Sequence, residues 1–258
     1  MKIITPEPIT PQQHQILLLL YRFRFLNRIH IQRFLHHKSE SRISTWLKDL
    51  TDRKIICRIY TKTQTSLYIP AVYYLDNKSR HILKSDERCQ PLVLNRVYKE
   101  KKVQSFFRNH WQFMADVYFC FEQKAESEGA KLSFHTTTDL VTIQYLPLPL
   151  PDAYVELKGG DQTNRFFVEL IDGKTRWFAV DERIRQYISY FKGKYWQSHV
   201  DYPFPRILLI CPNTALRERI RITLKKELDD RYTELQFFLG IQADIKKRGF
   251  QSDTWEKI

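Results

Sequence analysis

The sequence predicts a mixed α+β chain in two parts, an N-terminal winged helix-turn-helix domain and an α/β domain on a mixed sheet. Three observations carry this. Three short helical patterns are followed at once by two alternating strands; beyond about residue 103 the pattern changes to strands alternating with helices; and nearly all of the net positive charge lies in the first part.

The first helix is expected after Thr10, a capping residue, with Pro11 at the first helical position. Ile16, Leu17, Leu19, Leu20 and Phe23 then form a broad apolar face. A second helix is expected from about Arg28 to Leu35. After the polar turn His36-His37-Lys38, Ser39 opens a third that runs to about Arg53. Alternating strands follow from Ile55 to Thr61 and Ser66 to Leu75, joined by Lys62-Thr63-Gln64-Thr65, and two strands directly after a third helix make a wing. This domain is set at 1–85, and the charged, Pro91-bearing segment 86–103 at a linker or connecting helix.

The second domain, 104–258, is expected to open with a long helix to Glu128. Strands near 131–136, 152–157 and 165–171 follow, then a helix over 178–192, a strand over 206–211, a helix from Thr214 to about Leu228 and a strand near 235–239. The tail after Gly240 is polar and has no role on sequence grounds.

Aromatic content of 14% and hydrophobic content of 43% exclude a disordered chain. Cys57, Cys89, Cys120 and Cys211 are scattered, without finger spacing, and point to small core residues in a reducing cytoplasm. The longest apolar run, Ile16 to Leu20, is too short to span a bilayer, so no membrane partner is expected.

Residues 1–103 carry 20 Lys+Arg against 8 Asp+Glu, whereas residues 104–258 carry 22 against 21. Nearly all of the net charge of +13 therefore lies in the first part. Concentrated positive charge attracts a polyanion by counterion release, and a charge tuned only for solubility would be spread more evenly. On the third helix Ile43, Trp46, Leu47 and Leu50 should face inward. That leaves Ser41, Arg42, Ser44, Thr45 and Lys48 outward, the residue types that a major groove accepts. Arg58 and Lys62 on the wing, with Arg28, Arg33 and Lys38, are the expected phosphate contacts. The expected partner is double-stranded DNA, with the protein in the cytoplasm on nucleoid or plasmid.

The second part carries Pro151-Asp152 at the start of one expected strand and Glu169 late in the next. Two acids on adjacent strands are the minimal holder of Mg2+ or Mn2+ for phosphodiester hydrolysis. The arrangement resembles the PD-(D/E)xK nuclease superfamily, which implies Asp152 and Glu169 as metal ligands. Two residues after Glu169, where that pattern has lysine, stands Ile171; Lys174, Arg183 or Arg185 are the available replacements. Gln186 and Tyr190 on the following helix resemble the Gln-x-x-x-Tyr signature of RecB-like members, which adds both to the hypothetical catalytic set. With the lysine missing, a degenerate, inactive domain is expected over an active endonuclease, and without the metal pair no cofactor is expected.

Taken together, the third-helix stretch Arg42–Leu50, the wing ending Val72-Tyr73-Tyr74-Leu75, Pro151-Asp152, Val168-Glu169-Leu170, the stretch Arg183–Tyr187 and His110 resemble the replication-relaxation family of plasmids and integrative mobile elements. The resemblance implies DNA binding in replication control, transfer or transposition, with replication, transposition or transfer proteins and a homodimer among the possible partners. A metal-dependent endonuclease and a ligand-responsive transcription regulator stand as alternatives.

Overall fold

The computed structural model describes residues 8–60, 69–228 and 234–258. The chain forms two compact units, Met1–Ala115 and Asp116–Ile258, which divide inside one long helix rather than in the segment expected as a connector.

In the first unit, α1 (Pro11–Phe23) starts at a capping box: the Thr10 side chain accepts from the Gln13 backbone while the Gln13 side chain accepts from the Thr10 backbone. Its inward stripe, Ile16, Leu17, Leu20 and Phe23, is fully withdrawn from solvent. β1 (Leu26–Asn27) leads straight into α2 (Arg28–Phe34), whose first turn is capped by the Asn27 side chain. α3 (Glu40–Asp52) is capped by Ser39, which accepts from the Arg42 backbone N–H. β2 (Ile56–Ile59) and β3 (Val72–Leu75) pair antiparallel, and β1 joins the other edge of β3, giving the order β1-β3-β2. β1 was not foreseen, because two residues are too few to show a period. The expected turn Lys62–Thr65 and the strand start at Ser66 lie outside the described residues.

The segment 86–103 packs into this unit. After α4 (Ser79–Leu83), α5 (Pro91–Leu94) and a 3-10 turn (Val97–Lys102) carry Leu94, Val97 and Glu100 into buried positions. The buried Glu100 carboxylate takes two hydrogen bonds from the Arg24 guanidinium, which lies 4.4 Å from the centre of the Phe107 ring.

In the second unit, α6 (Ser105–Glu128, its first half in unit one) precedes β4 (Lys131–Thr136), the short α7 (Thr137–Leu140), β5 (Ala153–Gly159) and β6 (Gln162–Leu170). β5 and β6 form a tight hairpin in which Gly160 takes φ +54°, a conformation that costs glycine nothing. Then come α8 (Trp177–Lys192), β7 (Arg206–Cys211), α9 (Thr214–Glu227), β8 (Phe237–Ile241), α10 (Gln242–Arg248) and β9 (Glu256–Lys257). The six strands lie in sequence order. β4, β5 and β6 are mutually antiparallel, β6, β7 and β8 parallel, and β9 closes the far edge antiparallel to β8. α8 and α9 are the crossovers that the two parallel steps require.

Alternation along β6 sends Phe167 and Glu169 to the α8 face and Phe166 to the α6 face. On the first face Phe167, Tyr187, Trp196 and Phe237 form a core with side chains almost wholly excluded from water. The four cysteines are reduced thiols, with Cys89 and Cys211 buried. Among the described residues no helix is long and apolar enough to cross a membrane.

Candidate functional site

The outward face of α3 is the one the sequence predicts. Ile43, Leu47 and Leu50 are fully buried at helical spacing, while Ser41, Arg42, Ser44, Thr45 and Lys48 are exposed on the other side. Among the described residues Arg42 and Lys48 make no ion pair, so their charge is presented outward. Thr45 donates to the Ser41 carbonyl and Ser41 shares a hydrogen bond with Ser39, which fixes two hydroxyls on that face. Trp46 is half-buried, its ring edge-on to His37 at 5.1 Å, and the two brace the start of α3 against the turn before it.

The remaining cations divide. Arg33 and Lys38 are exposed on and after α2. Arg28 is half-buried and engaged: it pairs with Glu40 at 3.0 Å and donates to Gln32. Arg58, exposed on β2, stacks over the exposed Tyr60 ring at 4.6 Å. Lys62 lies outside the described residues.

In the second unit Asp152 and Glu169 line one cavity of about 260 Å³, together with Thr175 and Arg183 and the apolar Leu150, Ile171, Val180 and Leu209. The strand pairing explains this: Asp152 directly precedes β5, and Ala153 lies opposite Val168, so the acids meet at the ends of adjacent strands. Asp152 accepts the Leu170 backbone N–H at 2.7 Å. Oε1 of Glu169 accepts from Nη2 of Arg183 and from the Tyr187 hydroxyl, both at 2.5 Å. Arg183 also donates to the Pro149 carbonyl, tying the helix to the loop before β5.

Burial pushes the Glu169 carboxyl above its ordinary range, against the pull of Arg183, and the neighbouring Asp152 adds to the push. Burial opposes the charge on Arg183, yet Glu169 and Asp152 hold that guanidinium above its usual value. Tyr187 is raised well above the phenol range by burial and by Glu169.

Of the other expected catalytic residues, none lines the cavity. Lys174 sits on the loop before α8. Gln186 stands behind Arg183, 3.5 Å from its Nη1, and hydrogen-bonds Glu182. Tyr190, two turns along α8 from Arg183 and so about 10 Å away along the axis, donates to the Tyr145 carbonyl. The hydroxyl that reaches Glu169 belongs to Tyr187. Its sequence signal was the spacing Arg183-x-x-x-Tyr187, which puts both side chains on one helix face.

The acidic pair is already engaged from within the protein. Glu169 Oε1 is taken by a guanidinium and a phenol and Asp152 Oδ2 by a backbone N–H, so a divalent cation, which is held through one or two carboxylates and its own waters, would approach against the charge of Arg183. Among the described residues no group of three His, Cys, Asp or Glu side chains is placed to hold a metal. The positive charge beside Glu169 is that of Arg183.

With this geometry in place, comparison with known proteins gives a family. The replication-relaxation model matches residues 17–206, well over half of the chain, from within α1 to the first residue of β7. The chain belongs to the replication-relaxation family. The matched span takes in the α3 face, Asp152, Glu169 and Arg183, and leaves β8, α10 and β9 of this replication-relaxation protein outside it. No curated protein matches it significantly. Solved structures of restriction endonuclease FokI and of FokI bound to DNA are similar at TM-scores of 0.35 and 0.31, with 10% and 12% identity. Each covers 92% of this chain, and the chain spans 43% and 44% of those proteins, under half their length.

Proposed function

We propose that this replication-relaxation protein binds duplex DNA of a plasmid or mobile element, acting in its replication control, transfer or transposition. α3 enters the major groove as the recognition helix of a winged helix, with Arg42 and Lys48 on phosphate or guanine and the hydroxyls of Ser41, Ser44 and Thr45 on base edges. Arg33, Lys38 and Arg58 set the approach by phosphate contact. The second unit is a nuclease-like domain whose acidic pair is neutralised from within by Arg183; it serves further contact with DNA or protein, without hydrolysis.

One observation carries the reading: α3 buries a complete apolar stripe while its opposite face holds two cations without carboxylate partners among the described residues and three hydroxyl residues, all exposed. The one carboxylate at the amino-terminal end of that helix, Glu40, is paired with Arg28 rather than with either of those cations.

The test is a fluorescence anisotropy titration of the full chain with a mixed-sequence duplex at several salt concentrations. Arg42→Ala with Lys48→Ala should weaken binding and flatten the slope of log affinity against log salt by about 2, roughly 0.9 per lost phosphate contact. Affinity and slope equal to the parent's would reject α3 as the DNA-facing element.

A further inference from the structure

The face of the second sheet remote from Glu169 holds a second open cavity, of about 330 Å³. Its walls are aromatic: Phe121 of α6, Phe166 of β6, Phe238 of β8, and Phe250 and Trp255 from the tail. The rings are set at angles to one another, with Phe121 and Phe250 edge-to-face at 4.3 Å and Phe250 and Trp255 tilted at 5.2 Å. Phe121 is sealed beneath, while Phe238, Phe250 and Trp255 are only half-buried and keep surface turned to the cavity.

Two cations join the lining. Arg206, exposed at the start of β7, holds its guanidinium 6.0 Å from the ring centres of both Phe166 and Phe238. Lys124 on α6 is paired with Glu128 at 2.6 Å. The carboxylates of the adjoining tail are turned to other arginines, Asp253 to Arg248 and Glu256 to Arg217 and Arg221. Among the described residues Arg206 therefore has no acidic partner.

We propose that this pocket takes an unpaired nucleotide of single-stranded DNA, its base against the Phe238 and Trp255 rings and its phosphate on Arg206. The inference deepens the DNA-binding reading and rests on it. Aromatic walls offer a base a π-face with little demand for particular hydrogen bonds, and an unneutralised guanidinium at the rim supplies the attraction for phosphate. An apolar partner side chain would fill the walls but would leave Arg206 unanswered. The polar tail after Gly240 thereby gains a role: it folds back as α10 and β9, and it brings Phe250 and Trp255 to the sheet.

The experiment measures binding of the full chain to a labelled oligo-dT of about 12 nucleotides, within the usual site sizes, beside a blunt duplex of equal length. Arg206→Glu should weaken the single strand about tenfold or more, as should Trp255→Ala, with duplex affinity within about twofold of the parent's. Trp255 also packs on Gly240, where a Cβ would come within 2.9 Å of the indole, so Trp255→Ala is read only if its melting curve is intact. Arg206 is exposed, and its variant decides the matter alone. Single-strand affinity unchanged in Arg206→Glu, or equal losses on both DNAs, would each overturn the proposal. The failure is separable from that of the α3 reading, which concerns duplex binding by Arg42 and Lys48.

Discussion

Arg183 and Glu169 meet at 2.5 Å inside the second unit, their side chains 15% and 13% exposed. An ion pair this enclosed resists the loss of either partner more than it stabilises as a whole, because the survivor is left charged and unsolvated. Glu169→Gln and Arg183→Leu should each destabilise the unit by about 3–5 kcal/mol in urea melts, and the double variant by clearly less than their sum. Additive losses would mean that the two groups do not act as one pair.

The same pair decides the chemistry. With Oε1 of Glu169 taken by Arg183 and Tyr187, a supercoiled plasmid incubated with the protein and Mg2+ or Mn2+ should remain uncut, and Asp152→Ala should behave like the parent. Metal-dependent nicking by the parent that disappears in Asp152→Ala would overturn this and restore a two-carboxylate nuclease.

Most of this geometry was legible in the sequence because it depends on local signals. Thr10-Pro11, Asn27 and Ser39 mark three helix starts by cap chemistry, and the Ile43, Leu47, Leu50 stripe fixes which side of α3 faces out. Strand period and the Pro151-Asp152 turn likewise brought Asp152 beside Glu169. What escaped was long-range. The 86–103 segment reads as a charged connector, yet Glu100 is buried against Arg24, a residue 76 positions earlier that no local pattern pairs with it. The tail after Gly240 reads as polar because Phe250 and Trp255 are isolated in it, and only the closure of the sheet edge shows what they line. Tyr190 was expected at the acids on a motif spacing, whereas Tyr187 stands one turn from Arg183 and reaches Glu169.

In the first unit Asp86 should report on acid stability. Hydrogen bonds from the Arg88 side chain hold its carboxyl down to about 2, with His14 3.6 Å away. A carboxyl depressed in the folded state stabilises at pH above its ordinary value near 3.8 and loses that contribution as pH falls towards 2. Asp86→Asn should therefore melt below the parent at pH 7, with the gap narrowing below about pH 4. A gap as wide at pH 3 as at pH 7 would show that the carboxylate's charge is not what stabilises there.

Arg28 tests the surface proposed to face DNA from the opposite direction to charge removal. Its guanidinium is held by Glu40 at 3.0 Å, and Glu40 is 66% exposed at the first position of α3, close in sequence to Arg42 and on the surface proposed to meet phosphates. At that place a carboxylate acts twice against a polyanion, by repelling it and by occupying a cation that would otherwise meet it. Its favourable position at a helix N-terminus and its exposed pair with Arg28 each contribute at most about 1 kcal/mol to folding. Glu40→Gln should therefore cost little stability while tightening duplex binding about three- to tenfold at low salt, with the gain shrinking as salt screens it. In the double variant Glu40→Gln with Arg28→Ala, the part of that gain due to the released guanidinium should vanish and the part due to lost repulsion should remain. If Glu40→Gln leaves duplex affinity unchanged at low salt, the DNA does not approach the amino-terminal end of α3, and the docking geometry proposed for Arg42 fails with it.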